Sequence, residues 1–251
     1  MKNSAYKIFK DNRTAHEVFA CFKDDRLPFL LESSRNVMGM GRYSFLGSDP
    51  FFVLSVKRDK SGSALAMLRE LFRDYRLEGE NKLSIPFLCG AVGFFSYDFG
   101  FSLERVKRKN KHDPIVPDAL FAFYDRVIIL DHFKKELTAF SSGFPEKGAL
   151  RKKRSMERLD EVILKLKNRK AQSPLSDNKF LKAKGVSSNF TKSRYMAAIR
   201  KVKEYIARGD IYQVNLSQRL KSRLAIDDWL LYQRLVKKFP VPFSAFFNKF
   251  P

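Results

Sequence analysis

Cysteine, histidine and tryptophan are scarce in this chain of 251 residues, with two Cys, three His and one Trp. Cys21 and Cys89 are too few for a disulfide framework or a cysteine-built metal cluster. His16, His112 and His132 stand alone, without a partner at helical ligand spacing, so each reads as structural and no metal site is expected. No run approaches the roughly 18 apolar residues of a membrane span. The opening MKNSAYKIFKDNRT has no apolar core of the signal-peptide kind, so a soluble, cytoplasmic protein with no membrane contact is expected. Acidic residues are also short, 27 against 49 basic ones, for a net charge of +22. That charge grows along the chain, +3 over residues 1–100, +8 over 101–170 and +11 beyond. A nucleic-acid partner is therefore considered, but the cations are spread over loops and helices, and no zinc finger, RNP or helix-turn-helix pattern accompanies them. The charge reads as solvated surface.

What is present is a large apolar fraction, 44%, including 25 Phe. The length suffices for one large domain or two ordinary ones with a real core. PFLLES and YSFLGSDPFFVLSV are β-type runs broken by Gly and by the Asp49-Pro50 turn signal. Leu65, Leu68, Leu71 and Phe72 recur at helical spacing and predict a helix over 63–76. FLCGAVGFFSYDFG is a further apolar run. Its Gly90 and Gly93 suggest close backbone approach; a phosphate loop would need the Walker lysine or the GxGxxG spacing. AFYDRVIILDH (122–132) reads as one strand, with KKELTAFSS returning antiparallel to it. Leu159, Val162, Ile163 and Leu166 predict an amphipathic helix over 150–167, and RKKR at its start reads as a solvated helix end.

Polar sequence then divides the chain near residue 180. Thr191 is a plausible N-cap for a helix whose stripe is Tyr195, Ile199, Val202 and Ile206, closed by Gly209. From Asp210 a strand is predicted, with Tyr212, Val214, Leu216 and Leu220 on one face and Gln213, Asn215, Ser217 and Arg219 on the other. The RGD triplet at the helix end is discounted as an adhesion motif. A last helix starts at Asp227, with carboxylates at its positive end and lysines at its negative end.

Four blocks, in order, resemble one family. LLESSRNVMGMGRYSFLGSDP, CGAVGFFSYDFG, PDALFAFYDRVIILDH, and GDIYQVNLSQR followed by PVPFSAF are similar to the large subunit of chorismate-aminating enzymes. These are component I of aminodeoxychorismate synthase and of anthranilate synthase. The resemblance implies an α+β fold, antiparallel β-sheets flanked by helices, truncated before the catalytic C-terminal half. It implies an N-terminal domain over 1–170, a linker over 171–189 and an incomplete chorismate-binding domain over 190–251. YQVNLSQR and PFSAF look like the aminodeoxychorismate type, which makes 4-amino-4-deoxychorismate for p-aminobenzoate and folate. The alternatives are anthranilate synthase, or a noncatalytic module that binds tryptophan or docks a glutaminase.

In this family chorismate is the substrate, a glutamine amidotransferase supplies ammonia, and Mg2+ assists the loss of a hydroxyl. The magnesium glutamates and the other catalytic motifs lie downstream in the family, so no catalytic residue is expected in this chain. The resemblance places a tryptophan pocket at Ser33, Gly41, Arg42, Tyr43, Pro242, Phe243 and Ser244, with bound L-tryptophan as its ligand. Glu32 is expected to meet the ammonium and Arg42 the carboxylate. Gln213, Asn215, Ser217 and Arg219 are expected to support the active-site cavity.

Overall fold

The computed structural model describes residues 2–35, 37, 39–57, 63–104, 116–168, 184–223 and 226–248. The chain divides into two compact units, residues 1–174 with 232–251, and residues 175–231. His112 and residues 169–183 lie outside the described residues.

In the first unit the N-terminal segment forms β1 (Ala5–Lys10), α1 (Ala15–Phe19), β2 (Phe29–Glu32), β3 (Tyr43–Gly47) and β4 (Phe52–Val56). Then come α2 (Ser63–Asp74), β5 (Gly90–Phe95), a single 3-10 turn and the short α3 (Gly100–Leu103). β6 (Ala119–Tyr124), β7 (Arg126–Asp131), β8 (Glu136–Ser141) and α4 (Gly148–Asn168) follow. The second unit holds β9 (Lys184–Ser188), α5 (Lys192–Ala207) and β10 (Leu220–Arg223). α6 (Asp228–Lys238) begins there and ends in the first unit, which is completed by β11 (Ser244–Phe247). No described helix is long and apolar enough to cross a membrane.

All pairing is antiparallel. One sheet has the order β1-β8-β7-β3-β2-β11 and a second the order β4-β6-β5. The chain crosses between them twice, at residues 48–51 and at Asp125. The single strand expected over 122–132 is therefore two strands in two sheets. The break has a physical cause: the Asp125 carboxylate, fully buried, receives the Arg158 guanidinium at 3.2 Å, and its carbonyl accepts the Ser142 N–H at 2.7 Å.

Alternation assigns the strand residues to layers. Phe29, Val92, Ala122, Tyr124, Val127, Ile129 and Phe140 pack into one core between the sheets. On the far side of the three-stranded sheet, α2 contributes Leu68 against Leu54 and Phe123. The opposite parity of the larger sheet, Leu30, Leu46, Ile128 and Ala139, is equally buried, which is why every residue of β7 is buried. α1 and α4 pack against strands of this larger sheet. Gly93 lies where a Cβ would sit 1.9 Å from the Leu120 carbonyl oxygen, the close approach its sequence suggested.

The expected helices over 63–76 and 150–167 form, but the solvated reading of RKKR is half wrong. The buried face of α4 runs through Arg151, Ser155, Val162 and Leu166, a helical stripe that takes in the first basic residue. Arg151 Nε donates to the Ser142 carbonyl at 2.9 Å, and its guanidinium lies 4.0 Å from the centre of the Phe144 ring. Farther along, Arg126 and Arg158 meet Asp49, Asp125 and Glu161 in a network that pins the helix down.

In the second unit α5 forms as expected. Thr191 accepts the Arg194 N–H and Gly209 turns at φ 77°. Within the expected linker, residues 184–188 instead form β9, paired with β10. The strand expected from Asp210 is a ladder only from Leu220, and residues 211–219 are irregular. A strand exists by its neighbour, and β9 is long enough to partner residues 220–223 alone.

Candidate functional site

The end of the larger sheet that carries Glu32 holds a cluster of hydrogen-bonded polar side chains on its outer face. β11 pairs with β2 so that Ser244 stands opposite Glu32 and Phe246 opposite Leu30. The LLES and PFSAF blocks, more than 200 residues apart in sequence, thus become neighbours. Ser34 and Val241 lock the end of that pairing. The Ser34 hydroxyl donates to the Val241 carbonyl at 3.0 Å and accepts the Val241 N–H at 2.9 Å.

Glu32 is the hub. Its Oε2 lies 2.8 Å from His16 Nε2 on α1 and accepts the Tyr232 hydroxyl on α6 at 3.0 Å. The Ser244 hydroxyl lies 3.0 Å from the Tyr232 oxygen and 3.2 Å from the Glu32 carbonyl, and since the phenol hydrogen goes to Glu32, the one Ser244 hydrogen is shared between these two acceptors. Burial, helped by the Glu32 charge and opposed by the Ser244 hydrogen bond, pushes the Tyr232 phenol far above its usual range. The phenol is therefore a donor at ordinary pH. Its ring sits 5.0 Å from that of Phe246 and 6.0 Å from that of His16, and Phe246 in turn meets Phe19 at 5.8 Å. α1, α6 and β11 are bound together around one carboxylate.

Beside it, on the same face, Ser44 Oγ lies 2.8 Å from His132 Nε2 and accepts the Ser33 N–H at 3.3 Å. Burial depresses the His132 imidazole below its ordinary value, against the charges of Glu32 and Asp131. A neutral ring with Nε2 as acceptor fits, because the Ser44 hydroxyl then has its single hydrogen to donate. Ser44 is fully buried, so it acts as a strut and offers no nucleophile to solvent.

At the rim, Gly41 takes φ 98°, the left-handed region glycine favours, and leads into Arg42. Arg42 Nε and Nη2 both donate to Asp131 Oδ2, at 3.0 and 2.7 Å, and the guanidinium lies 4.8 Å from the centre of the Tyr43 ring. Burial alone would raise the Asp131 carboxyl. The Arg42 guanidinium and the Lys134 and Phe133 N–H groups outweigh it and hold the carboxyl below its ordinary value.

Of the expected pocket residues, the fold thus links Ser33 to the GRYSF stretch through Ser44, and sets Ser244 opposite Glu32. Phe243 is 73% exposed. The expected clamp needs refinement, since Arg42 already faces Asp131 and a ligand carboxylate would share it. Gln213, Asn215, Ser217 and Arg219 lie in the second unit on exposed, mostly irregular chain, where the Arg219 N–H donates to Asn189 Oδ1 at 2.8 Å. Among the described residues no group of three or more His, Cys, Asp or Glu side chains is placed to hold a metal ion.

Sequence reasoning set His16 and His132 aside and passed over Tyr232. One local signal was legible: Thr14 and Glu17 form a capping box that starts α1 and so places His16 on a helix. For Tyr232 there was none, because its partner is 200 residues away.

Comparison with known proteins agrees with this architecture. A component 1 of anthranilate synthase from Acetivibrio thermocellus is 28% identical over 96% of this chain and 52% of its own length. A component 1 of aminodeoxychorismate synthase from Bacillus subtilis (strain 168) is 29% identical over 86% of this chain and 47% of its own. The crystal structure of anthranilate synthase component I from Streptococcus pneumoniae TIGR4 superposes with a TM-score of 0.64 at 19% identity, over 82% of this chain and 47% of that one. It shares the fold. The chain spans about half the length of the curated relatives it matches. The profile of the chorismate binding enzymes matches residues 34–250, nearly the whole chain, and the protein belongs to that family.

Proposed function

We propose that this chain is the sheet-bearing part of an aminodeoxychorismate synthase component I, acting in the amination of chorismate to 4-amino-4-deoxychorismate for p-aminobenzoate and folate. The observation that carries the reading is the pairing of β2 with β11, which unites the LLES and PFSAF blocks around Glu32. YQVNLSQR and PFSAF favour the aminodeoxychorismate type. The relatives bear both names, so anthranilate synthase is the second reading.

On this proposal ammonia comes from a glutamine amidotransferase partner, in the cytoplasm. Mg2+ and its ligands belong to sequence equivalent to the relatives' remaining half. The site around Glu32 takes an amino acid, L-tryptophan, with Ser33, Gly41, Arg42, Tyr43, Pro242, Phe243 and Ser244 about it. Glu32 meets the ammonium and Arg42, shared with Asp131, the carboxylate. The test combines this chain with the second half of the Bacillus subtilis relative, chorismate, Mg2+ and ammonia. A 4-amino-4-deoxychorismate product supports the reading, fluorescent anthranilate transfers the chain to the second reading, and no turnover by the combined halves overturns both. The chain alone is expected to give none.

A further inference from the structure

Both hydrogen bonds to the Glu32 carboxylate fall on one oxygen, Oε2, from His16 on one side and Tyr232 on the other. Two donors on one oxygen restrain the carboxylate and leave its other oxygen, Oε1, as the acceptor available to a ligand. The two donors come from different helices, α1 and α6, and neither is in the motif blocks that identify the family. Glu32 keeps a side-chain exposure of 10%, so the carboxylate is mostly dehydrated without being sealed.

We infer that His16 and Tyr232 are positioning residues for the recognition of an ammonium group by Glu32 Oε1. This rests on the reading that an amino acid binds at this site. Three effects act in the same direction. Pinning removes rotamer freedom that a ligand would otherwise have to freeze. Partial burial strengthens the attraction between carboxylate and ammonium relative to open water. The Tyr232 phenol, un-ionised at ordinary pH, orients the carboxylate without placing a second positive charge beside the ammonium. The Tyr232 oxygen also lies 3.0 Å from the Ser244 hydroxyl, so the same phenol that orients the carboxylate touches the strand paired with β2.

The experiment is calorimetric titration of the full chain and of Tyr232→Phe with L-tryptophan, tryptamine and indole-3-propionate. Phenylalanine keeps the ring contacts with Phe246 and His16 and deletes only the hydroxyl. Positioning predicts that L-tryptophan and tryptamine, which carry the ammonium, each weaken about tenfold or more, the size of a lost hydrogen bond to a charged group. Indole-3-propionate, which has no ammonium, keeps its affinity. His16→Leu shows the same split, and His16→Gln, which retains a donor, recovers part of it. Equal weakening of all three ligands means a structural role only and overturns the inference, as does unchanged binding of all three. If the parent chain binds none of them, the amino-acid reading of the site fails first.

Discussion

In the first unit Phe29, Val127, Ile129 and Phe140 vanish between two sheets, whereas in the second unit none of the sixteen residues of α5 is buried. Both regions carry the amphipathic pattern their secondary structure requires. Tyr195, Ile199 and Val202 are half-buried, and Ile206 is 45% exposed. The pattern specifies which side of an element must be covered, and says nothing of what covers it. In the first unit the cover comes from the chain itself, including its last strand.

The strongest way to break the first unit is to remove a buried charge from beneath α4. Asp125→Ala leaves Arg158 and Arg154 without their shared carboxylate and is expected to cost about 3–5 kcal/mol, read from the midpoint of a denaturant titration. Truncating the core is next and sharpens the contrast most cleanly. Ile129→Ala is expected to cost about 2–5 kcal/mol, while the matched Ile199→Ala on α5 changes the first unit's melting by no more than about 0.5 kcal/mol. A comparable loss at Ile199 would mean that α5 is covered after all. Ser244→Ala removes one hydrogen-bonding hydroxyl from the Glu32 cluster and is expected to cost about 1 kcal/mol, seen as faster amide exchange in β11.

The smallest effect is in pH. His132 is depressed in the fold, so its contribution is present above the ordinary imidazole value and is lost as pH falls through the folded one. Asp131 is depressed as well, and its contribution is lost in a second, more acidic window below the ordinary carboxylate value. Melting of His132→Gln against pH should lack the upper window and keep the lower.

Local periodicity made α2, α4, α5 and α6 readable, and the turn at Asp49-Pro50 separated β3 from β4. The split at Asp125 was not readable, since an unbroken apolar run does not reveal that its two halves belong to different sheets. Nor was β11, whose pairing with β2 is a matter of tertiary structure. The site shows the same division. Glu32, Arg42 and Ser244 were reachable through motif resemblance, but His16, His132 and Tyr232 gain their roles from neighbours remote in sequence. The polar face at Gln213, Asn215, Ser217 and Arg219 was read as strand because alternation was taken without asking for a ladder partner.

Segment-resolved hydrogen exchange of the full chain tests the central claim, that the last strand completes the first unit and its site while α5 goes uncovered. The account predicts protection of residues 245–247 approaching that of β3, and much faster exchange along α5. Exchange of β11 at the rate of unstructured chain, or protection of α5 equal to that of β7, would contradict it.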